Sequence, residues 1–291
     1  MKRKKNLKIT AIILAVLFIA GIAELIWENK TVGVTRYTVE SEEIPAAFDG
    51  YKILLLADIQ GTDFGDQLYR KIEKERADLL VFAGDIADTY VPGSEKVIDR
   101  LLENCALPEK VYGVNGNHDV ASPSYESWKA HWESISAFRM LENESVTLER
   151  GGESVTLHGM ADPGYSEGEL AMRYVREYRE KITAGAGYNI LLFHRGEMLD
   201  MFAEDDFDLI MAGHMHGGQV RVPFLGGLRS PYGRWFPEYS GGQYRVDGRD
   251  FIVSRGVGNP ASITDPVLNV TAPIPRVLNR GEIVVVTLKS L

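Results

Sequence analysis

The chain has 291 residues, 45% of them hydrophobic and 25% charged, with a formal net charge of −9; this composition supports one substantial core and excludes a disordered, collagen-like or repeat protein. Five cations, Lys2, Arg3, Lys4, Lys5 and Lys8, sit within the first eight residues, so the remainder is more acidic still. A domain of that sign has no broad footprint for a polyanion, and nucleic acid is not an expected partner.

In chain order, residues 9–27 are almost wholly apolar and as a helix would span roughly 28 Å at about 1.5 Å per residue, close to a bilayer's hydrocarbon thickness. The basic tail, 1–8, precedes this run, so the positive-inside tendency holds the N-terminus in the cytoplasm and sends the following domain across. The expectation is a single-pass cell-membrane anchor that makes the lipid bilayer a partner. The competing reading is a signal peptide cleaved after the small residues Gly21-Ile22-Ala23, with a secreted product; both readings make the domain extracytoplasmic. Residues 28–50 read as a tether and a peripheral first strand over 34–39, and 51–291 as the domain proper.

Within that domain, 52–57, 79–83, 111–114, 190–193 and 209–212 read as short, largely buried strands. Helices are expected over 67–76 and 94–104, and over 167–182, where Leu170, Ala171, Tyr174, Val175, Tyr178 and Ile182 recur at helical spacing. Tyr125, Trp128, Trp132 and Ile135 share one helical face, a pattern more often of core packing than of a lipid contact. Further strands are expected over 155–160, 243–246, 251–254 and 282–288. Alternating strands and helices followed by consecutive strands indicate an α/β chain with two sheets. The single cysteine, Cys105, allows neither an intrachain disulfide nor a thiolate metal site, and is expected as a small core residue.

Polar clusters punctuate the strand ends: Asp58-Ile59-Gln60, Gly84-Asp85, Gly116-Asn117-His118-Asp119, His194, and Gly213-His214-Met215-His216. The ends of parallel strands are where open α/β sheets place their chemistry. Alone, each cluster has a plainer reading: Asp58 as a turn cap, Asn115-Gly116 as a hairpin dipeptide, His194 as a core histidine. Together, Asp58, Asp85, Asn117, His194, His214 and His216 combine hard oxygen with borderline nitrogen donors suited to Mn, Fe, Zn or Ni. Two such cations about 3.5–4 Å apart need a shared carboxylate, and Asp85 is the expected bridge.

The order of these blocks resembles that of the calcineurin-like metallophosphoesterases, D-x-H, G-D-x-x-D, G-N-H-D/E, a lone H and G-H-x-H. The run from Gly213 to Pro223, Ser254-Arg255-Gly256-Val257-Gly258 and Asn279-Arg280 resemble the membrane-anchored YaeI/YkuE-like branch. The resemblance covers about residue 52 to the C-terminus. It implies a four-layer sandwich of two mixed β-sheets flanked by helices, with the transmembrane helix added in front. It also implies two divalent metal ions, manganese favoured, with Asp58, Gln60, Asp85 and His216 around one and Asp85, Asn117, His194 and His214 around the other. His118 would protonate the leaving oxygen and Asp88 would orient its ring, while a metal-bridging hydroxide attacks phosphorus and Asp119 supports the loop. Gln60 departs from the pattern, standing where the family usually has histidine.

The expected activity is that of a phosphodiesterase or pyrophosphohydrolase acting on a phosphorylated lipid or small molecule of the envelope. A phosphomonoesterase acting on phosphoproteins, with the same ligands, is the nearest alternative, and an inactive metal-binding surface module is another. The glycine- and proline-rich stretch 224–237, with Phe224, Tyr232 and Trp235, is the candidate substrate lip, because such a loop cannot bury all its large side chains.

Overall fold

The computed structural model describes residues 2–164, 168–182, 184–202, 205–259, 263–265, 270–272 and 275–291. Helix α1 (Lys2–Lys30) contains Lys8–Lys30, long and apolar enough to cross a membrane and with none of its apolar window buried inside the protein. The chain then runs through β1 (Gly33–Ser41), β2 (Lys52–Leu56), α2 (Asp66–Glu75), β3 (Leu79–Ala83), α3 (Glu95–Asn104), β4 (Val111–Val114), α4 (Asn117–Val120), α5 (Tyr125–Ile135) and β5 (Phe138–Met140). It continues through β6 (Glu144–Arg150), β7 (Glu153–Gly159), α6 (Gly168–Arg179), β8 (Asn189–Arg195) and β9 (Leu209–Gly213). The two-residue strands β10 (Arg221–Val222) and β11 (Gly226–Gly227) are followed by β12 (Gly242–Val246), β13 (Arg249–Val253), β14 (Ile263–Asp265), β15 (Val270–Ala272) and β16 (Glu282–Ser290).

Two six-stranded mixed sheets result, ordered β1-β16-β2-β3-β4-β5 and β12-β13-β9-β8-β7-β6. Successive side chains on a strand point to opposite faces, so a strand apolar at every position must be covered on both. Ile53 and Leu55 of β2 join Ile190 and Leu192 of β8 in a core between the sheets. Leu54 and Leu56 face the other way, onto Leu68, Ile72, Ile98 and Leu101 of α2 and α3. Leu191 and Phe193 likewise turn outward onto Val175 of α6 and the turn carrying Leu199 and Phe202. The layers are therefore helix, sheet, sheet, helix. The expected strands are present, β1 lying at the sheet edge in parallel register with β16. The helix expected over 167–182 ends at Arg179, and residue 167 lies outside the described residues. Cys105 is buried.

Trp132 is fully buried against Phe138, its indole Nε1 donating to Asp99 Oδ1 at 3.0 Å, so the aromatic face of α5 is core. Trp132→Ala should therefore cost about 3–5 kcal/mol by emptying a packed site. Trp235→Ala, at an exposed position, should change stability by no more than about 0.5 kcal/mol. Denaturant titration of the detergent-solubilised chain checks both.

Candidate metal centre

Strands β2, β3 and β4 pair in parallel in one sheet, as do β8 and β9 in the other. Asp58, Asp85 and Asn117 follow the first three, His194 stands near the end of β8, and His214 and His216 follow β9. The structure brings all of them to one buried place. Asp58, Asp85 and His216 form one group of donor atoms lying within 4.8 Å of one another, and Asp85, His194 and His214 form a second. Asp85 is common to both.

Close approach dictates the small residues around it. A Cβ on Gly84 would fall 2.4 Å from His194 Nδ1, at a φ of +80° that side chains rarely adopt. One on Gly116 would fall 2.2 Å from Asp85 Oδ1. Asp119 ties the two loops together: its Oδ2 accepts from the Gly116 and Ile86 amides at 2.8 and 3.1 Å, and its Oδ1 from Ala87 at 2.9 Å. Asp58, Gln60, Asp85, His214 and His216 all have positive φ, between 45° and 69°. Left-handed backbone at non-glycine residues is strained, and such strain concentrates where surrounding contacts over-determine a site.

Each histidine is oriented by a specific partner. His194 Nδ1–H donates to the Ala83 carbonyl at 2.7 Å, which turns Nε2 toward Asn117 Oδ1 at 3.2 Å and Asp85 Oδ1 at 3.4 Å. His214 Nδ1 lies 3.1 Å from His194 Nε2. Its backbone amide is shared between the two oxygens of Asp58, each at 3.1 Å. His118 Nδ1 lies 3.0 Å from Asp88 Oδ1, and the His118 amide donates to Asp85 Oδ1 at 2.9 Å. Gln60 Nε2 donates to Asp85 Oδ2 at 2.8 Å, while Gln60 Oε1 is buried with no hydrogen-bond partner among the described residues.

The electrostatics of the cavity call for positive charge. Burial and the neighbouring Asp85 push Asp58 up to about 7, despite the opposing pull of His194; burial and Asp85 do the same to Asp119. His194 is pushed up to about 10, burial being outweighed by Asp85, Asp58 and Asp162. A proton there meets a demand that a cation would meet as well. Burial and the adjacent His194 hold His214 well below the ordinary imidazole range, and burial and Arg276 do the same to His216, so both rings keep a lone pair to donate. His214 Nε2 is also buried, with no hydrogen-bond partner among the described residues. The mixed donor set, the shared carboxylate and these two orphaned atoms fit a pair of divalent cations.

Several residues of the site lie outside the five motif blocks. Glu197 places Oε1 3.5 Å from His214 Nε2. Arg195, fully buried, makes a bidentate pair with Asp162 at 2.8 and 3.1 Å and donates to Tyr232 Oη at 2.6 Å. The Tyr232 ring then lies 5.3 Å from that of His214. Arg276, also fully buried, donates to the carbonyls of Gly258 at 3.2 Å and His216 at 3.3 Å. Asn279 Nδ2 reaches the same His216 carbonyl at 2.7 Å. Arg276 is itself held at its backbone by Asn29, whose side chain accepts from its amide and donates to its carbonyl, both at 2.9 Å. Arg195 and Glu197 lie close behind His194 in sequence, Asn279 belongs to the Asn279-Arg280 pair and Tyr232 to the candidate lip, whereas Asp162, Arg276 and Asn29 carried no local signal. Of the lip candidates, Tyr232 meets the centre, whereas Phe224 is exposed and Trp235 lies under Arg229 at 5.6 Å. His158 is buried and bonded to Ser145 and Asn189, a structural role.

Two mixed sheets carrying carboxylate and imidazole donors along a common edge define a metallophosphoesterase. Residues 51–218 match the family model for calcineurin-like phosphoesterases, and the chain belongs to that family. It is 28% identical over 278 residues to the uncharacterized metallophosphoesterase YkuE of Bacillus subtilis strain 168, covering 90% of this chain and 87% of that protein. It is 24% identical over 224 residues to the phosphodiesterase YaeI of Escherichia coli K12, covering 72% and 76%. Among solved structures, phosphopantetheinyl hydrolase of Mycobacterium tuberculosis superimposes with a TM-score of 0.44 at 12% identity, over 73% of this chain and 91% of that one.

Two substitutions probe this geometry. Gly116→Ala places a methyl group 2.2 Å from Asp85 Oδ1 and 2.3 Å from its backbone nitrogen, and should both abolish divalent-cation binding and lower the melting temperature. Gln60→His exchanges a neutral amide for a stronger nitrogen donor and should lower the Mn²⁺ concentration needed for half-saturation. Titration calorimetry reads both.

Proposed function

We propose that the chain is a membrane-anchored, extracytoplasmic two-metal phosphodiesterase or pyrophosphohydrolase whose substrate is a lipid or another phosphorylated envelope component. The observation that carries this reading is the pair of donor groups joined through Asp85, with His118 and Asp88 alongside. Asp58, Gln60, Asp85 and His216 would hold one divalent cation, and Asp85, Asn117, His194 and His214 the other, with Mn²⁺ favoured and Fe, Zn or Ni as alternatives. When bound, such cations activate water as a nucleophile and polarise a phosphoryl oxygen.

The chain's own residues supply the rest. Asp88, 1% exposed, accepts from His118 Nδ1–H and fixes the ring, leaving Nε2 to carry a proton to the leaving oxygen. The His118 side chain is 16% exposed, so a substrate can reach it. Burial opposes its charge, but Asp85, Asp88 and Asp119 push His118 up to about 9, which keeps the proton in place at neutral pH. Arg195 sets the Tyr232 hydroxyl and ring at the edge of the centre, where they would border the substrate. Support for a diester comes from YaeI, which bears the name phosphodiesterase. The apolar helix Lys8–Lys30, preceded by basic residues, supports the anchor and its orientation.

The assay compares an aryl phosphodiester with the corresponding monoester on the detergent-solubilised chain. The diester should be the better substrate and chelation should abolish its hydrolysis; preference for the monoester would favour a phosphomonoesterase, and bound metal without hydrolysis a surface module. Asp85→Ala should lose metal from both positions, whereas His118→Ala should keep its metal and slow turnover by roughly 10²–10⁴. Protease added to intact spheroplasts should digest the domain; full protection before lysis would reverse the orientation.

A further inference from the structure

Resting on the membrane-anchor reading above, we propose that residues 219–237, together with Leu278, form a second membrane contact that docks on an anionic bilayer surface beside the exit of α1. Phe224, Leu225, Trp235, Phe236 and Leu278 are each at least 50% exposed. Among the described residues outside α1, this loop and Leu278, the exposed large apolar residues are Tyr90, Leu170 and Leu291, far apart in sequence. Scattered apolar residues are ordinary on a soluble surface, but a cluster marks a contact.

Backbone and charge point the same way. Phe224 and Phe236 have φ of 68° and 48°, an unfavourable conformation for a bulky residue, adopted here with both rings facing outward. In a chain of net charge −9, residues 219–237 contain Arg221, Arg229 and Arg234 and no acidic residue. Arginine beside exposed aromatic and aliphatic side chains is the composition of an interfacial segment on anionic lipid.

The helix exit and the loop are joined by one short segment. At its start, Asn29 holds the Arg276 backbone. At its end, Arg280 donates to the Val32 carbonyl at 2.7 Å and lies 4.1 Å over the Trp27 ring. Between them, Val277 exchanges hydrogen bonds with the loop: the Arg221 amide donates to its carbonyl at 2.9 Å, and its amide to the Gln219 carbonyl at 3.3 Å. Leu278 then lines an open groove of about 630 Å³ with Phe224, Leu225 and Tyr244. The apolar lip is thus continuous with the end of the membrane-spanning helix. Tyr232 belongs to the same loop, so docking would present the metal centre to the lipid headgroup layer.

The test uses the full chain in nanodiscs of mixed phosphatidylglycerol and phosphatidylcholine, with Cys105 replaced by alanine. Single nitroxide labels are placed by Phe224→Cys, Leu17→Cys in the helix, and Glu149→Cys at the opposite end of the strands. Collision with oxygen and with a water-soluble nickel chelate is measured at each. The label at Phe224 should meet the chelate several-fold less often than that at Glu149 and approach the value at Leu17, with protection weakening in phosphatidylcholine alone. A label at Phe224 that reads like Glu149 while Leu17 reads as lipid overturns the docking and leaves the anchor standing. If Leu17 reads as aqueous too, the anchor reading falls and takes this proposal with it. Phe224 is fully exposed, so its replacement leaves the fold intact, and an unchanged thermal melt verifies this.

Discussion

The arrangement of the site depends on one carboxylate, Asp85, held where two sheets meet. It is 1% exposed, and burying a negative charge is tolerable only with several compensating contacts. The His118 amide, the Gln60 side chain and the edge of His194 provide them. Burial opposes its charge, but His194 and His118 hold the carboxyl well below its usual range. To sit so close, the chain must omit side chains at Gly84 and Gly116, accept left-handed backbone at Asp85, and clamp the two loops through Asp119. What reads along the chain as separate short motifs is physically the set of conditions for placing one oxygen pair.

Much of the architecture was legible because burial on both faces demands unbroken apolar runs, and those runs are conspicuous at β2, β3, β8 and β9. The grouping of Asp58, Asp85, His194, His214 and His216 could be anticipated because each follows or ends such a run, and parallel strands deliver their ends to the same edge. Trp132 illustrates what period alone leaves open: its helical face could have met lipid, and only the packing of Phe138 and the bond to Asp99 make it core.

Other parts were not legible, for a common reason. Glu197 reaches His214 by way of a turn after β8, and Arg276 reaches His216 from a loop 60 residues later. Asn29 meets Arg276 across 247 residues. No local pattern encodes such pairings, since they depend on how loops fold back over a completed sheet. Gln60 is intermediate: its position was evident from the motif, but the direction of its amide, nitrogen toward Asp85, is decided by the carboxylate beside it.

The strand order of the first sheet bears on how the protein is made. β16, the latest along the chain of the described strands, lies between β1 and β2, among the earliest, pairing in parallel with one and antiparallel with the other. Until β16 emerges, that sheet lacks an interior strand, and the facing edges of β1 and β2 present unpaired backbone. Contacts so distant in sequence form slowly, because a long loop must close before any bond rewards it. A nascent chain would therefore wait with its sheet open until β16 is made, a state exposed to mispairing at those two edges. A chain cut short before residue 282 would never close that gap, so β16 acts as the completion signal for the whole sheet.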